Sequence, residues 1–438
     1  MTGEVRRAGA FAAVGTLSLA TPALGRYAPV AFLAVAALAA FGVREGPLFE
    51  LFARPGDRRD GKLYGLAGFA LAATGLALLA TLPVRVQMPL PVFVAAVLLL
   101  SYGNLGDRLA RSKTRADVVS TLGFGALGFV AGAVGIYGAA AVGGTPTPPA
   151  GKIVFLSASG VLLAALLRTV LFERDDPLVM LSTGLLLWFL WLLEVPDLPV
   201  VAAALGGTLL LGYAAYVLET ASVPGMLTGV FLGLLTLVLG GAGWFATLIA
   251  FFGLGGLSTK YKYDVKARRG VAEDNEGARG SGNVLGNSAV ALLALLGFAA
   301  AQTELVPVTA PFRYAFAGSL AAAMSDTLSS EIGGVFDRPR LVTSLEVVEP
   351  GTDGAVTWQG EVAGVAGGVA IAAIALGTEL VPVGVAGAGI VVLAGVVGMT
   401  VDSLLGATME GSWLGNQGVN FLATLSGAAT GALLALLL

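Results

Sequence analysis

The sequence predicts an all-α, polytopic integral membrane protein of about fifteen transmembrane helices with a cytoplasmic N-terminus. Three observations carry this. Hydrophobic residues fill 56% of the 438 positions and charged residues only 12%, about half the charged share of an ordinary soluble domain. The apolar residues fall into runs long enough for the roughly 20-residue helix that crosses a bilayer. Lys and Arg concentrate in alternate connecting segments. So little charge cannot coat a soluble surface, and disorder needs the opposite composition; mean hydropathy is +0.86.

In chain order the expected spans are 8–25, 27–43, 62–82, 88–103, 118–142, 152–172, 177–194, 197–217, 225–241, 243–258, 284–301, 313–330, 361–377, 382–403 and 419–437. Arg6 and Arg7 ahead of the first run give it the shape of a signal peptide. Fourteen more spans follow, so it is read as a membrane helix. With the N-terminus inside, the cationic segments fall on the cytoplasmic side: 44–61 (Arg44, Arg54, Arg58, Arg59), 104–117 (Arg108, Arg111, Lys113, Arg115), 259–283 (Lys260, Lys262, Lys266, Arg268, Arg269, Arg279) and 331–360 (Arg338, Arg340). Segments 143–151, 195–196 and 302–312, on the other side, carry almost no cations. The expectation is a multi-pass protein of the cell (plasma) membrane whose polar chemistry faces the cytoplasm.

The chain has no Cys and no His. That excludes disulfides, thiol nucleophiles, His-based triads and His-liganded zinc. The net charge of −3 says little about partners, and nucleic acid is not expected among them. Chemistry is left to carboxylates, amides, hydroxyls, cations and backbone groups.

Those groups cluster in four segments. Residues 258–287 (STKYKYDVKARRGVAEDNEGARGSGNVLGN) form the longest charged stretch. A solvated, positive-inside loop explains its Lys and Arg. It leaves unexplained Asn283 and Asn287, four apart at a helix entry, since Asn at membrane depth is costly and finds a partner. In 325–333 (SDTLSSEIG), Asp326, Ser329 and Ser330 share one helix face, with Glu331 just past it. A capped helix end is the plain reading; a wet or cation-holding cavity explains the carboxylate better. Segment 337–354 (DRPRLVTSLEVVEPGTDG) joins Arg338, Arg340 and Thr343 to the Gly-rich turn of Thr352, Asp353 and Gly354. Such turns offer backbone N–H groups to phosphate oxygens, and Arg matches their geometry. Segment 402–420 (DSLLGATMEGSWLGNQGVN) ends a span at Asp402 and opens the next with Asn416 and Asn420; helix capping accounts for one of these residues, not the set.

Carboxylates, amides, hydroxyls and Arg at one membrane face make an inventory for a hard cation and phosphate. Mg²⁺ takes one or two carboxylates plus substrate phosphates. Cations clamp a phosphoryl group in transfer. A lipid monophosphate acceptor needs no general base, because its oxygen is already anionic. The forecast is a cationic groove with an acidic metal site beside lipid-filled crevices.

These motifs resemble a known family. SDTLSSEIG is similar to its D-T-[WL]-[AS]-S-E-[IL]-G signature, and RPRLVTSLEVVEPGTDGAVTWQG to its R-x-[IV]-T…G-T-[DN]-G stretch. DSLLGATME with the closing N-x-x-V-N, and the 277–287 stretch, resemble its last and G-x-R…V-x-x-N blocks. This is the integral membrane family that includes plant phytyl-phosphate kinase and animal transmembrane protein 19. It is distantly similar to dolichol and phytol kinases and to CDP-diacylglycerol synthase. The resemblance covers about residues 205–438 and implies phosphoryl transfer from a nucleoside triphosphate, CTP foremost, to a prenyl monophosphate, giving a diphosphate in isoprenoid metabolism. It implies Mg²⁺ at Asp326 and Asp402, a catalytic set of Asp326, Glu331 and Asp402, and nucleotide or phosphate contacts at Arg279, Asn287, Ser330, Arg338, Arg340, Thr343, Thr352, Asp353, Gly354, Asn416 and Asn420. Membrane lipids surround the site. Ser325, Leu328 (for the commoner Trp) and Asn283 (for Gln) depart from the pattern without removing a charge.

Residues 1–204 lie outside the resemblance, as a separate multi-helix domain. There Ser101, Gly106, Asp107 and Arg108, followed by Arg111, Ser112, Lys113 and Arg115, weakly resemble a block of dolichol and phytol kinases. A degenerate second kinase-like copy and an unrelated helical domain both fit. Gly123, Gly125, Gly128 and Gly132 read more simply as helix packing. Against the kinase stands an ion-coupled transporter using the same Asp and Asn residues; a transporter should place them near mid-span rather than at span ends. A noncatalytic scaffold is the third reading.

Overall fold

The computed structural model describes residues 3–83, 85–171, 175–272, 280–303, 308–382 and 384–437. These residues form two compact units, Met1–Gly206 and Gly207–Leu438. The first holds α1 (Gly3–Thr16), α2 (Thr21–Leu24), α3 (Ala28–Ala37), α4 (Pro47–Phe52), α5 (Pro55–Asp60), α6 (Tyr64–Thr81), α7 (Leu90–Arg111), α8 (Asp117–Gly143), α9 (Ala150–Val170) and α10 (Asp176–Trp191). The unit boundary falls inside α11 (Leu198–Val217). The second unit continues with α12 (Val223–Leu235), α13 (Ala242–Lys260), α14 (Tyr263–Arg268), α15 (Ser281–Gln302) and α16 (Ala310–Gly333). A two-residue-a-strand antiparallel hairpin follows, β1 (Arg340–Leu341) and β2 (Ala355–Val356), in register Arg340 to Val356 and Leu341 to Ala355. It is closed by α17 (Trp358–Gly377), α18 (Gly384–Met409) and α19 (Asn416–Ala435).

The molecule is a polytopic all-α membrane protein. Twelve helical runs among the described residues are long and apolar enough to cross a bilayer. Every expected span coincides with helix, but the count of qualifying runs differs from fifteen for physical reasons. The first two spans merge into one continuous helical run, Gly3–Gly42. Helix α10 is short, and α16 carries Arg313, Asp326 and Glu331.

Each unit is organised on one buried helix. In the first it is α7, whose residues from Pro91 to Ser101 are buried without a break. Helix α8 lies on it at backbone range: a Cβ on Gly123 would sit 2.6 Å from the Gly106 carbonyl oxygen, and one on Gly128 2.9 Å from that of Leu99. The glycines of α8 are therefore packing residues, apart from Gly125, which faces open space.

In the second unit the buried helix is α16, enclosed from Phe316 to Ser325 by α17, α18 and α19. In lipid there is no hydrophobic drive to press helices together, so small residues that let backbones approach do the work. A Cβ on Gly427 of α19 would lie 2.7 Å from the Gly318 carbonyl oxygen. On Gly364 of α17 it would lie 2.8 Å from the Ser325 carbonyl oxygen, and on Gly395 of α18 2.8 Å from the Ser325 hydroxyl. Gly427→Val should therefore force α19 off α16 and cost about 1–3 kcal/mol or more. Gly389→Ala, where a Cβ meets nothing, should leave the melting temperature unchanged. Thermal unfolding of both variants in detergent checks the pair.

Candidate active site

Where α16 and α18 end and α19 begins, their termini and the β1–β2 hairpin enclose a polar cavity of about 240 Å³. Four carboxylates line it: Asp326 from α16, Asp353 from the hairpin turn, Asp402 from α18 and Glu410 just beyond. Asp326 and Asp402 lie within hydrogen-bond reach of each other. Asp402 Oδ1 is buried and has no hydrogen-bond partner. Hydroxyls of Ser329, Ser330, Thr352, Thr357 and Ser403 and the amide of Asn416 complete the polar lining.

The hairpin reaches this place by backbone contact. Gly354, at φ +74°, packs against α18, where a Cβ would lie 2.5 Å from the Ser403 carbonyl oxygen. Gly351 (φ +85°) turns the chain just before it. No side chain could replace Gly354 without lifting the turn and its N–H groups off the site. The Thr357 hydroxyl caps α17, accepting from Gly360 N at 3.1 Å.

Of the expected site residues, the cavity gathers Asp326, Ser330, Thr352, Asp353, Gly354, Asp402 and Asn416. Asn420 donates to the Asn416 side chain at 2.9 Å and so stands one step behind the lining. The buried Asn287 donates along its own helix to the Asn283 carbonyl at 3.0 Å. A Cβ on Gly286 beside it would lie 3.3 Å from the Gln417 carbonyl oxygen and 3.7 Å from the Asn420 side chain, so the two Asn pairs are neighbours where α15 and α19 begin. Arg338, Arg340 and Thr343 are exposed on the hairpin side and do not line the cavity; Arg340 donates to the Leu345 carbonyl at 2.6 Å. Arg279 lies outside the described residues.

Two expectations change. The cavity is acidic, not cationic: among the described residues no Lys or Arg lines it. And Glu331, expected in the catalytic set, is held away from the cavity lining in a buried ion pair with Lys266 of α14. The ammonium also donates to the carbonyl oxygens of Ser258 (3.3 Å) and Thr259 (2.7 Å). A residue read as a solvated loop cation is thus only 1% exposed. Arg269, bound to Asp337 at 2.5 Å and to the Phe336 carbonyl at 2.9 Å, ties down the end of the same segment. These two cations pin α14 over the end of α16 and bring Val271 against the cavity. Sequence spacing held no signal for them, because each partner lies over 60 residues away.

The acidic lining has an electrostatic signature at Glu410. Burial first, then the nearby Asp353 and Asp402 carboxylates, push its carboxyl above its ordinary 4.5. A pair of carboxylates in contact, one oxygen of which lacks a donor, suits a proton or a hard cation. Among the described residues no three acidic side chains stand together as a metal-ligand group. Two carboxylates with the remaining positions left to water and phosphate are what Mg²⁺ accepts, so the residues present fit that ion.

A second cavity in this unit, about 140 Å³, is an apolar crevice between α11, α12, α13 and α15. Leu211, Met226, Phe245, Ile249 and Phe252 line it, and Gly212, Gly225 and Gly229 give it width.

Residues 206–428 match the family described as integral membrane protein DUF92. An uncharacterized membrane protein of Synechocystis sp. is 33% identical over 194 residues, 43% of this chain and 72% of the relative. One of Methanocaldococcus jannaschii is 34% identical over 220 residues, 48% of this chain and 84% of the relative. Protein VTE6, chloroplastic, of Arabidopsis thaliana is 31% identical over 206 residues, 46% of this chain and 61% of the relative. No solved structure matches.

Two outcomes follow from the geometry. Lys266→Met removes the ammonium paired with the buried Glu331 carboxylate and should cost about 3–5 kcal/mol, much of which Lys266→Met/Glu331→Leu recovers; denaturant unfolding in detergent measures both. The folded state holds the Glu410 proton more tightly than the unfolded chain. Its contribution is therefore present below the ordinary glutamate value of 4.5 and lost as pH rises past it. Glu410→Gln should melt higher than the parent at pH 7 and no differently at pH 4.

Proposed function

Because the chain belongs to the integral membrane protein family DUF92, we propose that its second unit is a prenyl-phosphate kinase. It transfers the γ-phosphoryl group of a nucleoside triphosphate, CTP foremost, to a prenyl monophosphate at the cytoplasmic membrane face. The observation that carries the reading is the Asp326–Asp402 pair in a hydroxyl-lined cavity at the helix ends, closed by a glycine turn. The resemblance of the 325–333 and 337–354 motifs to the family that includes plant phytyl-phosphate kinase supports the same chemistry.

The reaction is one displacement at phosphorus. An oxygen of the acceptor monophosphate forms a bond to the γ-phosphorus. The bridging bond between the β- and γ-phosphates breaks, and the nucleoside diphosphate leaves with that electron pair. The attacking oxygen is already anionic, so the absence of His costs nothing. Asp326 and Asp402 would hold Mg²⁺, which supplies the positive charge that lets two phosphates approach each other. Backbone N–H groups of the 351–354 turn orient phosphate oxygens, joined by the hydroxyls of Ser330 and Thr352 once these rotate off the Thr327 and Glu349 carbonyls to which they donate. Asn416, supported by Asn420, offers an amide on the facing side. The apolar crevice between α11 and α15 takes the prenyl chain. Polar residues gathered at helix ends, with no carboxylate among the described residues that line the crevice, favour this over a transporter.

Purified protein with Mg²⁺ and labelled CTP, or ATP in parallel, should convert geranylgeranyl or phytyl phosphate to the diphosphate. Asp326→Asn should lower turnover by about a hundredfold or more while the protein stays folded. Full activity in that variant overturns the site; no product from folded protein with any donor overturns the kinase. Gly229→Phe fills a crevice position where a Cβ meets nothing. It should raise KM about tenfold for a twenty-carbon acceptor and leave a five-carbon one unaffected.

A further inference from the structure

The acidic cavity is lined by a serine that the proposed reaction leaves unused. Ser329 follows Asp326 by one helical turn on α16, so the two project from one helix face into the cavity. Its hydroxyl differs from the others around it. Ser330 donates to the Thr327 carbonyl at 3.2 Å, Thr352 to that of Glu349 at 2.7 Å and Ser403 to that of Met399 at 3.2 Å. Thr357 is engaged at the start of α17, where it accepts from Gly360 N. Ser329 has a carboxylate instead: Glu361, in the first turn of α17, lies within hydrogen-bond reach of it.

Backbone contact holds the two helices to this arrangement. A Cβ on Gly360 would lie 2.6 Å from the Ser329 carbonyl oxygen, and one on Gly364 3.2 Å from the Ser329 Cβ. Glu361 therefore leaves α17 from between two points at which that helix touches Ser329. It does not itself line the cavity. An acid in the first turn of a helix ordinarily serves the helix dipole. That role accounts for its place in the sequence and not for its contact with the one lining hydroxyl that no backbone group engages.

An ionised carboxylate only accepts hydrogen bonds. The Ser329 proton is therefore directed to Glu361, and the hydroxyl is left with lone pairs to offer whatever enters beside Asp326. Phosphate oxygens are acceptors themselves and gain nothing from lone pairs. A hard cation does, because oxygen lone pairs are what it coordinates. Carboxylates behind a ligand are also the groups that orient it at metal sites. We propose that Ser329 supplies a third oxygen ligand to the divalent cation of the Asp326–Asp402 pair, and that Glu361 is the positioning residue that aims it. The proposal rests on the kinase reading in placing Mg²⁺ at those two carboxylates. It divides the cavity hydroxyls into two sets, Ser329 for the cation and Ser330 and Thr352 for phosphate oxygens.

The test reads the cation rather than turnover. Mn²⁺, which takes the same oxygen ligands as Mg²⁺, is titrated into the full chain in neutral detergent at pH 7. Titrations run with and without tripolyphosphate, a phosphate chain that carries no nucleoside, and electron paramagnetic resonance counts the bound Mn²⁺. Ser329→Ala should weaken Mn²⁺ binding about tenfold, and Glu361→Ala about as much. Glu361→Gln keeps an acceptor for the Ser329 proton and should stay within about threefold of the parent. Adding Glu361→Ala to Ser329→Ala should cost little more, because the two residues act as one unit. Thermal unfolding without metal shows which variants are folded, and Ser329→Ala with Glu361→Gln decides the matter if Glu361→Ala is not. Losses as large in Glu361→Gln as in Glu361→Ala, or losses that add in the double variant, would assign Glu361 a charge effect and overturn the proposal. Parent-like binding in Ser329→Ala overturns it as well. If Asp326→Asn abolishes binding that Ser329→Ala leaves intact, this proposal alone fails. If the parent binds no Mn²⁺ in either titration, or Asp326→Asn binds as the parent does, the cation site fails with it.

Discussion

The polar cavity of the second unit depends on how closely three helices approach α16. At Gly318 and Ser325 the neighbouring backbones come within the space a single Cβ would need. That closeness is the membrane substitute for hydrophobic pressure, since dispersion and backbone contact are what remain to hold helices together in lipid. It also fixes the chemistry. Asp326 and Ser329 follow Ser325 directly on α16, and Asp402 is two turns beyond Gly395 on α18. Tight contact at the glycines therefore dictates that the two carboxylates meet. Loosening the helices by the width of a methyl group would separate them.

That meeting was half legible in the sequence. The expected spans matched helices, because a run of about 20 apolar residues leaves the backbone no other way to satisfy its hydrogen bonds in lipid. The spacing of Asp326, Ser329 and Ser330 put them on one face, and they line one cavity. Residue type and the family resemblance both point Arg338 and Arg340 toward phosphates. Nothing in the sequence reports that the residue at 338 takes φ +59° or that Arg340 turns to a carbonyl of its own loop. Lys266 and Glu331 were illegible for a different reason. A charged residue in a positive-inside loop looks solvated, and only the three-dimensional path of the chain makes it a buried counter-ion.

The Lys266–Glu331 pair clarifies why a carboxylate within the most recognisable motif stands outside the cavity. Glu331 sits one residue past the face that carries Asp326 and Ser330, and that small rotation turns it toward α14. Its work is to fasten a charged segment across the helix end, with Arg269 and Asp337 as the second fastening. A motif residue can thus be required by the site without lining it, because it positions the segment that closes the site.

The cavity of the second unit poses an electrostatic problem. An apolar surrounding tolerates a cluster of like charges only if something supplies the counter-charge. In the second unit four carboxylates line a cavity that no Lys or Arg enters among the described residues, and the substrates proposed for it are themselves anions. Such a cavity accepts phosphate only in company with a cation, so nucleotide and divalent ion should enter as one unit rather than in either order alone. The excess charge of this cavity thus indicates the sign of what must accompany a phosphate into it.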